Sequence, residues 1–396
     1  MPRFIYAVAA AALLGACHGD TALPDPDLPV PTLDPVLVAQ GQDIFRYDTF
    51  GDDNFWTDTL RIHEVIQSAL TPRLALQLGL QVDVDALPPA VQQALAAGQV
   101  NLDDPATTVT LLKLRSVVGV MGQVETINGR DTLTRVGVTC ALCHSMVDNS
   151  FAPGIGHRRD GFANVALNPG AIIATSPALS AAQKAVYNSW GAGHYDPRYN
   201  IDGKNTPIVL PPIYGLARVS HETFTGDGVM SYWNAYVGVT QMHGKGNFSD
   251  PRLGISRTAA VDMVTPKLPA LREYQMSLQT PAPPAGFADA NAAIRGRAVF
   301  EVKGRCATCH LGLTLTDINL GRRHAAADVG QDGSYAARTA TRLYRTTPLR
   351  GLWQHAPYFH DGSAASLEAV VEHYQQQFKL GLSSTEKADL VQYLRT

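Results

Sequence analysis

Two short segments of the 396-residue chain place cysteines and a histidine at one repeated spacing, C-x-x-C-H. In this pattern the two thiols lie about one helical turn apart and can bond to both vinyl groups of a single porphyrin, while the histidine faces the iron. The pattern therefore predicts two covalently bound haem c groups with proximal histidine ligands. The residues concerned are Cys140, Cys143 and His144 in the first segment and Cys306, Cys309 and His310 in the second.

Paired cysteines also have other uses in proteins. Two C-x-x-C pairs can together hold one zinc ion through four thiolates, and each pair alone can form a redox-active or a structural disulfide. None of these sites requires a histidine directly after the second cysteine of both pairs. The sequence therefore favours haem attachment, which leaves Cys17 as the one cysteine outside the two segments.

The first residues have the features of an export signal. Arg3 precedes an apolar run over residues 4–16, and small residues lie just before Cys17. The segment LLGAC also resembles the lipobox of bacterial lipoproteins, in which the cysteine becomes the lipidated first residue. We expect residues 1–17 to be a signal peptide with a lipobox, with an ordinary signal cut nearby as the alternative. The mature protein is then exported to the periplasm and meets a membrane only through its lipid anchor.

Composition and charge narrow the remaining possibilities. The net charge of -3 provides no basic field for nucleic acid, and 45% hydrophobic residues allow a sizeable core. No stretch after the signal has the roughly 18 uninterrupted apolar residues of a membrane-spanning helix. A proline-rich segment over residues 18–35 predicts an extended tether. A second proline-rich break, at residues 280–286, predicts a boundary between an N-terminal domain over 36–280 and a C-terminal domain over 287–396.

Both predicted domains begin with a similar helix. The pattern Gly-x-x-x-Phe occurs from Gly41 to Phe45 and again from Gly296 to Phe300, just before the second haem motif. The first haem motif arrives only at Cys140, so we expect an insertion over about residues 46–135. Strand patterns are few. The predicted fold class is mainly α, with two cytochrome c-type haem domains, long loops and a helical insertion in the N-terminal domain. Apolar periodicity predicts the helices of the insertion around residues 59–70, 91–97 and 108–118.

The segment TPLRGLWQHAPYFHDGSAASLEAVVEHY, residues 347–374, adds a more specific pattern. Together with the two haem motifs it resembles the bacterial di-haem cytochrome c peroxidase superfamily, which includes the methylamine dehydrogenase maturation enzymes and, more distantly, rubber oxygenases. The resemblance is specific over residues 296–396 and patchier over residues 140–278. The insertion has no counterpart in the ordinary peroxidases.

The resemblance implies a division of labour between the two haems. The C-terminal haem receives electrons from a donor protein, such as a small cytochrome or a cupredoxin, and the N-terminal haem meets peroxide or dioxygen. At the C-terminal haem, the peroxidases place a methionine ligand fourteen residues after the histidine that corresponds to His360. This sequence has Tyr374 there, as the maturation enzymes do, and the adjacent His373 is the rival sixth ligand.

The sixth ligand of the N-terminal haem stays open. His157 lies near the place where the peroxidases keep a displaceable histidine, three residues before the expected position. Met242 and His243 are further candidates. The glutamate that assists peroxide cleavage in the family is replaced by Gln241, which cannot carry a proton, so Glu222 is the candidate substitute.

Two further roles follow from the resemblance. Asn168 lies where the family has its calcium-binding asparagine, and the backbone carbonyls of His355 and Pro357 are the corresponding partners, so Ca²⁺ is a candidate second cofactor. Trp190 corresponds to a tryptophan that relays electrons between the haems, with plain core packing as the alternative.

The sequence leaves several functions open. The favoured one is an electron-transferring oxidoreductase with peroxidase-like activity at the N-terminal haem, and an oxygenase-like haem protein is a close variant. The alternatives are a pure electron carrier with both irons six-coordinate and a sensor or assembly protein with structural haems. Three residues of the insertion are candidates for shaping a pocket: Phe55, Trp56 and His63.

Overall fold

The computed structural model describes residues 29–396, so the signal peptide, Cys17 and most of the tether lie outside the described residues. Helices dominate the secondary structure of this part of the chain. None of these helices is long and apolar enough to cross a membrane. The helices are α1 (Pro35–Tyr47), α2 (Ile62–Ser68), α3 (Pro72–Gln77), α4 (Pro89–Ala96), α5 (Pro105–Lys113), α6 (Ala141–His144), α7 (Pro169–Ala174), α8 (Ala181–Asn188), α9 (Tyr199–Asp202), α10 (Met230–Tyr236), α11 (Leu268–Ser277), α12 (Ala290–Glu301), α13 (Leu367–Phe378) and α14 (Ser384–Leu394).

Strands are short and pair only two at a time within residues 29–396. The pair β1–β5 is parallel, and the pairs β2–β3, β4–β6, β7–β8 and β9–β10 are antiparallel. The strands are β1 (Val82–Asp83), β2 (Val120–Ile127), β3 (Arg130–Val138), β4 (Ser145–Val147), β5 (Ile155–Gly156), β6 (Arg158–Asp160), β7 (His194–Tyr195), β8 (Ile208–Val209), β9 (Phe248–Asp250) and β10 (Ile255–Arg257).

The repeated Gly-x-x-x-Phe pattern builds the same packing unit twice. Helix α1 crosses α11 at Gly41, where a Cβ atom would lie 2.0 Å from the carbonyl oxygen of Ala270. Helix α12 crosses α14 at Gly296, where a Cβ atom would lie 2.0 Å from the carbonyl oxygen of Asp389. One turn later, Phe45 and Phe300 are fully buried. Each half of the chain therefore sets a pair of helices in close contact beside its haem motif.

The insertion contains helices α2 to α5 and also the longest strands of the described chain. Strands β2 and β3 form a hairpin that pairs Val120 with Val138 and ends just before the first haem motif. Its turn is Asn128-Gly129, and both residues have positive φ, which is the backbone that a two-residue hairpin turn requires. The helices predicted around residues 59–70, 91–97 and 108–118 overlap α2, α4 and α5, but the insertion also contains this hairpin, which the prediction of a helical insertion did not include.

A buried charge cluster joins the two halves of the chain. The Arg338 guanidinium lies 2.9 Å from Asp196 and 2.8 Å from Asp202, and the side chains of Arg338 and Asp196 are almost fully buried. Ile318, from the second half, packs into the same apolar core as Phe45. The halves are therefore packed as one body along this contact.

We predict that Gly296→Ala destabilises the fold by about 1–3 kcal/mol, because the added methyl group collides with the backbone of α14. Chemical denaturation, followed by circular dichroism, measures this loss. The matched control is Asn291→Ala on the exposed face of the same helix, for which we expect a change within about 0.5 kcal/mol. Equal stability of the two variants would contradict a close crossing at Gly296.

Candidate haem sites

The first haem motif opens onto a large apolar cavity. Its volume is about 260 Å³, and Cys140, Cys143 and His144 form part of its wall. Burial raises the pKa of both thiols to about 12, as expected for sulfur in apolar surroundings. Most of the remaining wall is aliphatic or aromatic, including Trp56, Ile66, Leu142, Leu210, Met230 and Trp233. We call this space the haem cavity.

The histidines of the two motifs are held in the same way. His144 donates a hydrogen bond from Nδ1 to the carbonyl oxygen of Pro211 at 3.0 Å, and His310 donates one from Nδ1 to the carbonyl oxygen of Leu315 at 3.0 Å. Burial lowers the pKa of both imidazoles, to about 4 for His144. Each ring is therefore neutral with Nε2 left as the coordinating atom, which is the arrangement that a metal-binding histidine needs.

Two buried polar atoms at the haem cavity lack a partner. They are Nη1 of Arg345 and Oε2 of Glu222, and both residues border the cavity. Arg345 is otherwise fixed, since Nη2 donates to the carbonyl oxygen of Glu222 at 2.8 Å. A porphyrin is a large apolar disc with carboxylates at one edge, so it matches an apolar cavity that ends in an unsatisfied guanidinium. The residues of this site fit a haem.

The Glu222 carboxyl group has an unusual environment for an acid. Burial raises its pKa to about 7, against an opposing effect of the nearby Arg345 guanidinium. The same burial lowers the pKa of Arg345 to about 10. Burial at the edge of the haem cavity therefore favours the protonated form of Glu222 more than water does.

Gln241 also borders the haem cavity, but its amide is fixed by a hydrogen-bond network. Its Oε1 accepts from the hydroxyl of Tyr195 at 3.0 Å, and its Nε2 donates to Oδ1 of Asn200 at 3.0 Å and to Oγ1 of Thr240 at 2.9 Å. This residue lies in a single π-helical turn, Val237–Gln241, and such turns occur often at functional sites. The network orients Tyr195, another residue of the cavity wall.

Met242 and His243 are placed differently. Met242 is buried and belongs to the cavity wall. His243 is absent from the described wall and stacks on Phe55, with 3.6 Å between ring centroids. Of these two candidate ligands, the structure therefore brings Met242 to the haem cavity.

The structure places His157 on the surface. Its side chain is 59% exposed, and its Nδ1 lies 3.0 Å from a carboxylate oxygen of Asp85. Asp160, at the position where the family pattern puts a displaceable histidine, accepts a hydrogen bond from Ser145 at 2.7 Å and pairs with Arg46. Neither residue belongs to the described wall of the haem cavity.

The insertion is tied directly to the first haem motif. Trp56 borders the haem cavity and donates from Nε1 to Oδ2 of Asp52 at 3.2 Å. Asp52 is fully buried and also accepts from the backbone nitrogen of Val138, two residues before Cys140. Burial raises the pKa of Asp52 to about 9, so the carboxyl group is uncharged at neutral pH. His63, the third candidate of the insertion, is outside the described cavity wall.

The second haem motif is covered by helix α13. His373 donates from Nε2 to the carbonyl oxygen of Val329 at 2.9 Å, which leaves Nδ1 as the ring atom that could coordinate a metal. Tyr374 packs edge-on against Phe359, and burial together with the neighbouring Cys306 and Cys309 thiols raises its pKa to about 12. The structure therefore brings Tyr374 to the thiols of this motif, and the choice between Tyr374 and His373 as sixth ligand stays a prediction.

The positions of the four thiols test the alternative uses of paired cysteines, which are a shared zinc site and disulfides. All four cysteines of the two motifs are free, and among the described residues the one group with metal-binding geometry is Cys309, Asp317 and His324. His324 and Asp317 pair at 3.0 Å beside the second motif. The four thiols do not gather around one point, so a shared zinc site is excluded within the described residues.

The remaining predicted residues have structural partners. Asn168 caps helix α7, with Oδ1 accepting from the backbone nitrogen of Ala171 at 3.0 Å. His355 packs against the ring of Tyr358, and Pro357 lies close to Gly362. A calcium ion at these residues stays a prediction.

Trp190 is buried, and the ring of Tyr195 lies between it and the haem cavity. Its Nε1 donates to Oδ1 of Asn205 at 2.8 Å, and its ring contacts Tyr195 edge-on with 5.2 Å between centroids. Tyr195 is part of the cavity wall. Sequence reasoning found Trp190 but missed Tyr195 and Arg345, because neither belongs to a pattern that indicates its partners.

Two solved structures overlap with part of the fold. A hydrazine synthase from Kuenenia stuttgartiensis matches 48% of this chain and 72% of its own chain, with 21% identity and a TM-score of 0.32. A MauG-like protein associated with microbial copper homeostasis matches 48% and 73% of the two chains, with 20% identity and a TM-score of 0.34.

Sequence comparison gives more local similarity. Residues 343–378 match the family described as RoxA-like, cytochrome c-like. The methylamine utilization protein MauG of Methylorubrum extorquens is 35% identical over 119 residues, which are 26% of this chain and 33% of that protein. Its counterpart in Methylophilus methylotrophus is 28% identical over 121 residues, 26% of this chain and 35% of that protein. The chain thus spans about a third of the length of the curated relatives it matches.

These relatives, together with the cytochrome c-like segment, imply covalently bound haem c. With the two attachment motifs and the geometry around them, these similarities support the bacterial di-haem cytochrome c peroxidase superfamily as the group that this chain resembles.

Proposed function

We propose that the chain holds two haem c groups and works as an electron-transferring oxidoreductase whose first haem site reacts with peroxide or dioxygen. The observation that carries this proposal is the difference between the two motifs. The first opens onto a cavity of about 260 Å³ that has an unpartnered carboxylate oxygen on its wall, whereas at the second a partly buried tyrosine lies beside the thiols. A bound haem c supplies one-electron transfer and, where its sixth position is open, a binding place for an oxidant.

Glu222 is the proposed proton carrier of the first site. Its Oε2 has no partner at the cavity, and its raised pKa of about 7 lets it accept and return a proton at neutral pH. Gln241 occupies the family's glutamate position but cannot titrate, so its part is to orient Tyr195. Arg345 is the proposed partner of a porphyrin carboxylate.

Tyr374 is the proposed sixth ligand of the second haem. Its ring lies beside the thiols of that motif, while His373 is engaged by the backbone at Val329. A phenolate is a hard anionic ligand that lowers the iron potential relative to a methionine. Such a closed site suits an electron relay from a small cytochrome or cupredoxin donor, with export and a lipid anchor at Cys17 as the predicted setting.

A second function is favoured by one specific residue. The thioether of Met242 borders the haem cavity and can occupy the sixth position of the first haem. Both irons would then be six-coordinate, and the protein would be a pure electron carrier.

We predict that the oxidised protein contains one high-spin and one low-spin haem, because the first motif opens onto a cavity whereas Tyr374 lies beside the second. Electron paramagnetic resonance at low temperature distinguishes the two. Addition of hydrogen peroxide should change the optical spectrum of the high-spin haem. Two low-spin haems that ignore peroxide would contradict the catalytic proposal and support the electron carrier.

We predict that Tyr374→Phe alters the spectrum and lowers the ligand field of one haem only, since the phenyl ring has no oxygen to coordinate iron. His373→Gln is the control on the same helix, and it should leave the low-spin signal in place. A change with His373→Gln and none with Tyr374→Phe would assign the ligand to His373.

We predict that Glu222→Gln slows the reaction with hydrogen peroxide by about 10²-fold or more, the usual contribution of a general acid–base group. As a base, Glu222 acts in its ionised form, so the wild-type rate should rise with pH through about 7. The variant should lose this rise. Glu301→Gln, on the exposed face of α12, is the control. A wild-type pH profile that persists in Glu222→Gln would assign the proton transfer to another group.

A further inference from the structure

The insertion contains a second, smaller cavity beside the haem cavity. Its volume is about 60 Å³, and helices α2 to α5 supply about half of its wall. We call it the insertion cavity. Four buried aliphatic residues belong to the walls of both cavities: Ile66, Leu70, Leu80 and Val120. The two spaces are therefore separated by single side chains.

The insertion cavity offers no hydrogen bond to a guest. Only two polar side chains reach its wall, Gln81 and Thr108, and both are engaged elsewhere. Oε1 of Gln81 accepts from the backbone nitrogen of Val147 at 2.6 Å, and Thr108 donates to the carbonyl oxygen of Leu70 at 2.6 Å. A water molecule needs two to four polar partners to occupy a cavity, so this one is dry.

The apolar wall of the insertion cavity determines which class of small molecule can bind there. A cavity of about 60 Å³ is several times the roughly 10–15 Å³ that one water requires, so size does not keep small molecules out. Hydrogen peroxide would lose its hydrogen bonds to water on entering the cavity. The apolar wall offers none in exchange, so this transfer is unfavourable. Dioxygen makes no such bonds, and dry apolar cavities in proteins take up apolar guests such as xenon.

We propose that the insertion cavity is a binding site for dioxygen that supplies the haem cavity. Its role as a supply rests on the proposed function, because it requires an open iron position in the haem cavity. The binding itself depends only on the wall. Passage between the two spaces requires side-chain rotation at residues such as Ile66 and Leu70, without any movement of the backbone.

The outer wall provides a route from solvent. Val91 and Leu95 lie one turn apart on the same face of α4 and border the cavity. None of the residues of α4 is fully buried, and its first residue follows Pro88, which gives no side-chain cap. Of helices α2 to α5, α4 is the one without a buried residue, so we expect a small apolar gas to enter beneath it.

Xenon tests the binding site directly. In crystals of the haem-loaded protein under xenon pressure, we expect xenon between Ile66, Ala75 and Leu111. Ala75→Leu should remove it by filling the space, and Val91→Phe does the same from α4 if Ala75→Leu does not fold. Ala96→Leu, exposed on α4 and outside the wall, should keep it. Absence of xenon from the wild-type cavity would overturn the proposal.

Gas kinetics tests the supply. After photolysis of carbon monoxide from the reduced protein, we expect slower rebinding from solution in Ala75→Leu than in wild type and Ala96→Leu. Equal rates in all three, with xenon bound in wild type, would overturn the supply role. If wild type binds no carbon monoxide, the open first haem of the proposed function is wrong, while the xenon result still decides whether the cavity takes apolar gas.

Discussion

The structure around both motifs depends on the hydrogen bond that fixes each proximal imidazole. The carbonyl oxygens of Pro211 and Leu315 each accept a hydrogen bond from Nδ1 of one histidine, which leaves Nε2 as the ligand atom and sets the plane of the ring. Once the plane of the imidazole is fixed, the side on which a bound haem would have its sixth position is fixed as well. The carbonyl at 211 lies in the segment that also lines the haem cavity, so the wall and the ligand are positioned by the same stretch of backbone.

The two halves use one packing device and surround it differently. Gly41 and Gly296 let a pair of helices meet closely in each half, so the supports of the two motifs are alike. The difference comes from the elements added around them. In the second half, α13 covers the motif with aromatic side chains, whereas in the first half the insertion builds an apolar chamber and fixes it through Trp56 and Asp52. The two motifs thus share the same attachment chemistry but differ in how accessible their haem sites are.

The sequence predicted those parts that depend on short spacing. The attachment motifs and the Gly-x-x-x-Phe helices are local patterns, and the structure shows the helices as expected. The Asn128-Gly129 turn is also a local signal, but the register shift between Gln123 and Val124 interrupts the alternation that would predict the strands. The meeting of Glu222 with Arg345 could not be predicted, because 123 residues separate them and neither stands in a pattern. His157 shows the converse. It lies close to the position that the family pattern gives to a displaceable histidine, yet the structure places its side chain on the surface.

The buried Arg338 makes the first half of the chain dependent on the second. Asp196 directly follows Tyr195 of the cavity wall and Asp202 comes a few residues later, yet the guanidinium that neutralises both is more than 130 residues further along the chain. A buried carboxylate without its partner is strongly destabilising. The loop that shapes the first site therefore relies on a side chain from the second half of the chain for its charge balance, so the first half alone is not a self-sufficient unit.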